Sequence, residues 1–135
     1  MTLNDDFTEF YDYRTDINTP QVVTLNAIAG NKKKEVSATF IKTINESSKL
    51  KNKMNDYETS KAEFIRVPNS KGDTLNGWML KPANFDASKK YPVLFCNYGG
   101  PGSQQVSNRF GAVSFWHQLL AQKGLSPIQL GPKEG

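Results

Sequence analysis

Very few side chains in this sequence could carry chemistry: it holds a single histidine, His117, and a single cysteine, Cys96. Nucleophilic catalysis needs a nucleophile, a base within hydrogen-bond reach and a group that orients the base. No serine here has glycine both two residues before and two residues after it, the spacing of a strained nucleophile elbow. Ser103 lies beside Gly102 but has Pro101 two residues before it, so Ser103 reads as a loop former. His117 lies between Trp116 and Gln118 in a stretch of helical periodicity. A packed helical histidine is the expectation there, since catalytic bases are usually delivered to a cleft by loops. Cys96, within Val93-Leu94-Phe95-Cys96, reads as a small buried thiol on an apolar strand. One histidine and one cysteine do not make a transition-metal site, and Asp5, Asp6, Asp12 and Asp16 lack EF-hand spacing. No metal and no cofactor are expected.

The string that does suggest chemistry is Asn97-Tyr98-Gly99-Gly100-Pro101-Gly102. Its glycines match neither a P-loop nor a dinucleotide fingerprint. They do follow an apolar strand and precede a helix, where glycines let the backbone approach a substrate and adopt positive φ. A tyrosine at the end of such a strand can aim its O–H at an oxygen that becomes negative during acyl transfer. Its ordinary pKa near 10 keeps that proton in place at neutral pH. Tyr98 is therefore the candidate oxyanion donor. Without its context, the same string is a tight turn with an aromatic anchor.

Three stretches of the chain would have to position this loop. Residues 6–41 read as strands and turns: aromatic-rich Phe7–Tyr13, β-branched Gln21–Leu25 and Glu35–Ile41, with Asn18-Thr19-Pro20 and Gly30-Asn31 as breaks. A few strands alone leave an apolar face and edges uncovered. Residues 43–60 read as a helical connector. Thr43-Ile44-Asn45-Glu46 has capping-box spacing, and Leu50 and Met54 share a face. Residues 62–124 predict a hairpin, with strands Glu63–Val67 and Thr74–Leu80 around a Pro68–Asp73 turn. A strand buried on both faces follows over Tyr91–Asn97, then the glycine loop, then a helix over Val113–Lys123 closed by Gly124. That order describes the opening of an α/β sheet.

Composition narrows the class of partner. The net charge is +4, with Lys32-Lys33-Lys34 at an expected hairpin tip and Lys49, Lys51 and Lys53 on a short polar helix. Solvated faces explain both runs, and no nucleic acid is expected. No apolar stretch is long enough to cross a bilayer as a helix. Met1–Asp6 is polar and acidic, unlike a signal peptide, so the address of the protein is not legible from these residues.

Several strings, taken together, carry a resemblance. Leu75-Asn76-Gly77-Trp78, Pro82, Lys89-Lys90-Tyr91-Pro92-Val93-Leu94, Tyr98-Gly99-Gly100-Pro101-Gly102-Ser103-Gln104 and Trp116 resemble, in order and spacing, the start of the hydrolase domain in the dipeptidyl peptidase IV branch of the prolyl oligopeptidase family of serine peptidases. Upstream, Phe7–Tyr11 and Asn18–Leu25 resemble the last strands of that family's β-propeller. The resemblance spans residues 4–124. It implies an α/β fold class, with terminal propeller strands over 1–42, a helical connector over 43–61, and the first part of an α/β-hydrolase domain over 62–124. It also implies an enzyme that releases Xaa-Pro or Xaa-Ala dipeptides from peptide N-termini through an acyl-enzyme, often as a dimer. Tyr98 would be an oxyanion donor, and Pro101 and Gln104 would line the cleft mouth. The sequence style resembles bacterial members, for which a periplasmic or cell-envelope location is implied. The family's serine, aspartate and histidine lie further along than residue 124, so this chain is expected to be an inactive fragment that needs the remaining C-terminal part.

The last residues depart from the pattern. Where the family enters another buried strand, this chain has Leu125-Ser126-Pro127 and then Gly131-Pro132. Two prolines argue against a central strand, so residues 125–135 are expected to form a divergent tail produced by truncation or a change of reading frame near Gly124. A competing expectation is a small basic β-rich binding module with no catalytic role, which would unfold as an independent cooperative domain.

Overall fold

In a computed structural model of the chain, residues 1–30, 36–97 and 104–131 are described. They form two four-stranded sheets and two short helices. The first sheet is an antiparallel meander of β1 (Thr2–Leu3), β2 (Glu9–Asp16), β3 (Thr19–Ala29) and β4 (Ser37–Asn45) in chain order. The expected strand over Phe7–Tyr13 begins two residues late, because Phe7 takes a φ of 56° in the preceding turn. Asn4 organises that turn by accepting the N–H groups of Thr8 and Glu9 on its side-chain oxygen, at 2.9 and 3.1 Å. Residues 31–35, including Lys32–Lys34, lie outside the described residues, and Ala29 pairs with Ser37 on either side of them.

The expected capping box at Thr43–Glu46 does not form. Thr43 and Asn45 pair with Thr24 and Val23 and extend β4, as the β-branched Thr43 and Ile44 favour. Helix α1 (Ser48–Asn55) starts later, from Ser47. Ser47 donates its hydroxyl to the Gln21 carbonyl at 2.6 Å, and the Asn45 side chain accepts its N–H at 2.8 Å. No residue of α1 is buried.

The second sheet has the order β5-β6-β8-β7. β5 (Ala62–Pro68) and β6 (Thr74–Leu80) form the expected antiparallel hairpin. β7 (Val93–Asn97), α2 (Phe115–Gln122) and β8 (Ser126–Leu130) make a parallel β-α-β unit, and β8 is inserted between β6 and β7. α2 ends as Gly124 predicts. Gly124, at φ 83°, donates to the Ala121 carbonyl, and Leu125 donates to that of Leu120, the double bond pattern of a Schellman stop.

Two expectations for this sheet are corrected. Residues 126–130 are a central, buried strand, which the prolines of this stretch were expected to exclude. Pro127 is tolerated because of where its missing donor falls. Ser126 donates toward β7, to the Pro92 carbonyl at 2.9 Å, so Pro127 turns its nitrogen toward β6. The ladder with β6 has already ended there, at Met79↔Ile128, so no hydrogen bond is lost. Pro132 lies outside the described residues. β7, expected to be buried on both faces, is covered on only one: Leu94 and Cys96 are half-buried, while Val93 and Phe95 on the other face are exposed.

The core lies between this sheet and α2. Trp78, Leu80, Ala62 and Ala121 are buried there together with Ile17, which arrives from the β2–β3 turn of the first sheet. Gly77 is obligatory for this packing. A Cβ at that position would stand 2.7 Å from the Gln129 carbonyl oxygen and 2.8 Å from the Leu130 side chain.

Candidate functional site

The glycine string begins where β7 ends. Asn97 is the last residue of β7 and is paired with Leu130 at the carboxyl end of β8. Tyr98 and Pro101 lie outside the described residues. The chain is next described at Gln104, which returns to the same end of the sheet. The Gln104 side-chain oxygen accepts the Val106 N–H at 3.0 Å, and it lies so close to Gly131 that a Cβ there would be 2.6 Å away. Asn97 and Gln104 thus both stand at the carboxyl end of two parallel strands, the edge at which open α/β sheets bind ligands. Gln104 also borders an open groove of about 500 Å³ with Arg66, Asn76 and Phe64.

The lone histidine sits differently from its expected mid-helix position. α2 begins at Phe115, so His117 falls in the first turn and reaches back to Ser114. The Ser114 backbone N–H donates to His117 Nδ1 at 3.1 Å, with Ser114 Oγ 2.9 Å from the same nitrogen. A backbone N–H can only donate, so Nδ1 is the unprotonated nitrogen and the neutral ring carries its proton on Nε2. The ring is packed edge-on against Trp78 and Trp116, with centroids 5.0 and 5.1 Å away. Burial holds its pKa below the usual histidine value.

Cys96 Sγ lies 3.9 Å from His117 Nε2, a contact that invites a thiol–imidazole reading. The tautomer rules that out. Nε2 already bears the proton, so it cannot take one from the thiol, and burial pushes the thiol pKa up, away from thiolate. The pair is a weak hydrogen bond between two neutral groups, with Nε2–H donating to the thiol sulfur. Among the described residues, no group of three or more His, Cys, Asp or Glu side chains could hold a metal ion.

The sheet edge, its β-α-β unit and its apolar core can be compared with those of known proteins. No protein-family model matches the chain. Dipeptidyl peptidase 4 of Arthroderma otae is 44% identical over 75 residues, 56% of this chain and 10% of that protein. Dipeptidyl peptidase 4 of Trichophyton equinum is 41% identical over 88 residues, 65% of this chain and 11% of that protein. The crystal structure of Porphyromonas gingivalis dipeptidyl peptidase 4 superposes with a TM-score of 0.75 at 28% identity, covering 93% of this chain and 16% of that one. The chain resembles a segment of dipeptidyl peptidase 4. A structure of a dipeptidyl aminopeptidase IV candidate from Bacteroides ovatus agrees, with a TM-score of 0.68 at 26% identity, covering 96% of this chain and 17% of that one. The chain spans about a tenth of the length of the curated dipeptidyl peptidase 4 relatives it matches.

Joining residues were missed by the sequence reading: Asn18, Asn108, Gln118 and Gln122 bond to backbone far away in the chain. Their partners lie 44 to 91 residues distant, and no local spacing announces such pairs.

Proposed function

We propose that this chain is the propeller–hydrolase junction of a dipeptidyl peptidase 4-like serine exopeptidase, with Tyr98 as an oxyanion donor. The observation that carries this is the placement of Asn97 and Gln104, the described residues on either side of Tyr98-Gly99-Gly100-Pro101-Gly102-Ser103 in the sequence, at the carboxyl end of the parallel β7–β8 pair. In α/β-hydrolases the loop after an early buried strand supplies part of the oxyanion hole. On this reading the first sheet is the end of a β-propeller, and α1 with residues 56–61 is the connector. β5 to β8 open the α/β-hydrolase sheet, with Pro101 and Gln104 at the cleft mouth.

The whole enzyme would act on peptides whose second residue is proline or alanine. A serine hydroxyl from elsewhere in the enzyme would attack that second residue's own carbonyl, and the oxygen turns negative as the tetrahedral adduct forms. The Tyr98 O–H donates to it, the adduct collapses by breaking the C–N bond and expelling the rest of the peptide as a protonated amine, and water then hydrolyses the acyl-enzyme ester to release the dipeptide. On this reading the chain supplies a donor and the nucleophile comes from elsewhere: no serine in the sequence has elbow flanks, and among the described residues the serine hydroxyl beside the lone imidazole, that of Ser114, belongs to the capping box of α2.

The test is an assay on Gly-Pro-p-nitroanilide. The purified chain alone gives no turnover above buffer. In the enzyme assembled with the remaining hydrolase part, Tyr98→Phe lowers kcat by about 10²-fold or more, the effect of losing one oxyanion donor worth ~3 kcal/mol. Turnover by the isolated chain, or full activity of the assembled Tyr98→Phe variant, would reject this assignment.

A further inference from the structure

The segment that joins the two sheets is gripped by side-chain amides from both sides. The Asn18 side chain, on the β2–β3 turn, accepts the Ala62 N–H at 2.8 Å and donates to the Ala62 carbonyl at 3.0 Å. Two residues earlier, the Gln118 side chain, on α2, accepts the Ser60 N–H at 2.8 Å and donates to the Ser60 carbonyl at 2.9 Å. Gln122, one turn further along α2, donates to the Glu58 carbonyl at 2.8 Å. A carboxamide carries an acceptor and a donor side by side, as a peptide group does, so each amide imitates the edge of a neighbouring strand. Aspartate or glutamate would keep the acceptor and lose the donor. Serine or alanine would lose the pairing.

The same turn is anchored on its other side. Ile17 is buried in the core of the second sheet, and its N–H donates to the Asn108 side chain at 3.0 Å. Thr15 Oγ accepts the Phe110 N–H at 3.1 Å. Close packing does not complete this joint. A cavity of about 300 Å³ remains beside the clip, lined in part by Ile17, Asn18, Ser60, Phe110 and Gln118. Directional bonds, more than jigsaw contact, therefore set the angle between the sheets.

We propose that Asn18 and Gln118 are positioning residues that form a two-sided amide clip, turning residues 58–62 from a flexible linker into a rigid joint between the sheets. The clip fixes where the first sheet stands relative to the carboxyl end of β7. This proposal is independent of the peptidase reading, since it concerns the joint whatever the chain's activity.

Two measurements on the full chain test it. Spin labels at Thr39→Cys and Ser70→Cys, in a Cys96→Ser background, report the distance between the sheets. The parent gives a narrow distribution, and Asn18→Ser combined with Gln118→Ala broadens it while far-ultraviolet circular dichroism stays the same. Hydrogen exchange at the Ser60 and Ala62 amides speeds up by about tenfold or more, since each loses its acceptor. If the combined variant loses its circular dichroism, Asn18→Asp and Gln118→Glu are read instead, with smaller changes in the same direction. A distribution that stays narrow in variants that remain folded overturns the proposal, as does unchanged exchange at both amides.

Discussion

The two sheets have equal numbers of strands but are stabilised by different means. In the second sheet the largest fully buried side chains, Trp78, Leu80 and Pro127, are gathered beneath or beside α2. In the first sheet β4 is exposed along its whole length, with Phe40, Ile41 and Ile44 open to solvent. Its strands are joined by backbone ladders, and its buried Asn26 donates to Thr24 Oγ at 2.9 Å. A hydrogen bond exchanged with water contributes ~1 kcal/mol net, whereas burying one large apolar side chain contributes about 1.5–3 kcal/mol. The second sheet is thus the stable half. The first borrows part of its order from the turn that plugs Ile17 into its neighbour's core.

The largest effect should separate the halves directly. Leu80 is completely buried, and truncation to alanine leaves a cavity as well as lost transfer energy, about 2–5 kcal/mol in all. Ile44, exposed on β4, should tolerate the same truncation within about 0.5 kcal/mol. Urea denaturation of Leu80→Ala and Ile44→Ala measures both. Equal losses would mean that the first sheet contributes as much packing as the second, contrary to its exposed faces.

A smaller effect concerns the start of α2 and belongs to the second sheet alone. His117 Nδ1 must be unprotonated to accept the Ser114 N–H, and burial lowers the ring's pKa from its ordinary 6.5. Between the lowered native value and 6.5 the unfolded chain binds a proton that the native chain does not. Stability is therefore complete above 6.5 and is lost as pH falls through the native value. Asp16 and Asp86, held below the usual carboxylate value by hydrogen bonds from Asn18 and Ser88 respectively, titrate under 3.8 and act in a separate, more acidic window. The midpoint of thermal unfolding should fall with pH in the upper window for the parent chain, and less for His117→Gln. An identical slope in the variant would show that the imidazole does not control it.

The contrast between the sheets also explains how much could be read in advance. The β5–β6 hairpin was legible because its signals are local: alternating strands and a Pro-Asn-Ser-Lys-Gly-Asp turn. The stop of α2 was legible from Gly124 for the same reason. β8 was not, because counting prolines ignores which edge of the strand a missing N–H faces, and Pro127 faces the end of a ladder. The exposed face of β7 was hidden too, since an apolar run reports what a strand can bury and not what covers it. At the candidate site, Tyr98 stood out by motif, and the placement of Asn97 and Gln104 follows from the sheet. The amide clip was invisible because its bonds join residues 44 and 58 positions apart.

The smallest stability effect, and the sharpest test of how the first sheet manages its open edge, lies in β4. Its pairing with β3 skips Ile44 between Thr43 and Asn45, and skips Ile41 between Phe40 and Lys42. Each skip is a bulge, which increases local twist and spoils the regular row of donors and acceptors that another strand would need. The bulges blunt the backbone template but leave the apolar side chains outside, and Phe40 is 60% exposed. Phe40→Thr replaces one residue that favours strands with another and removes the exposed ring. It should change the unfolding free energy by less than about 0.5 kcal/mol and reduce self-association in sedimentation velocity at high concentration. If association is unchanged, the exposed face of β4 is not where copies of the chain meet, and the open side of β7 with Val93 and Phe95 becomes the surface to alter next.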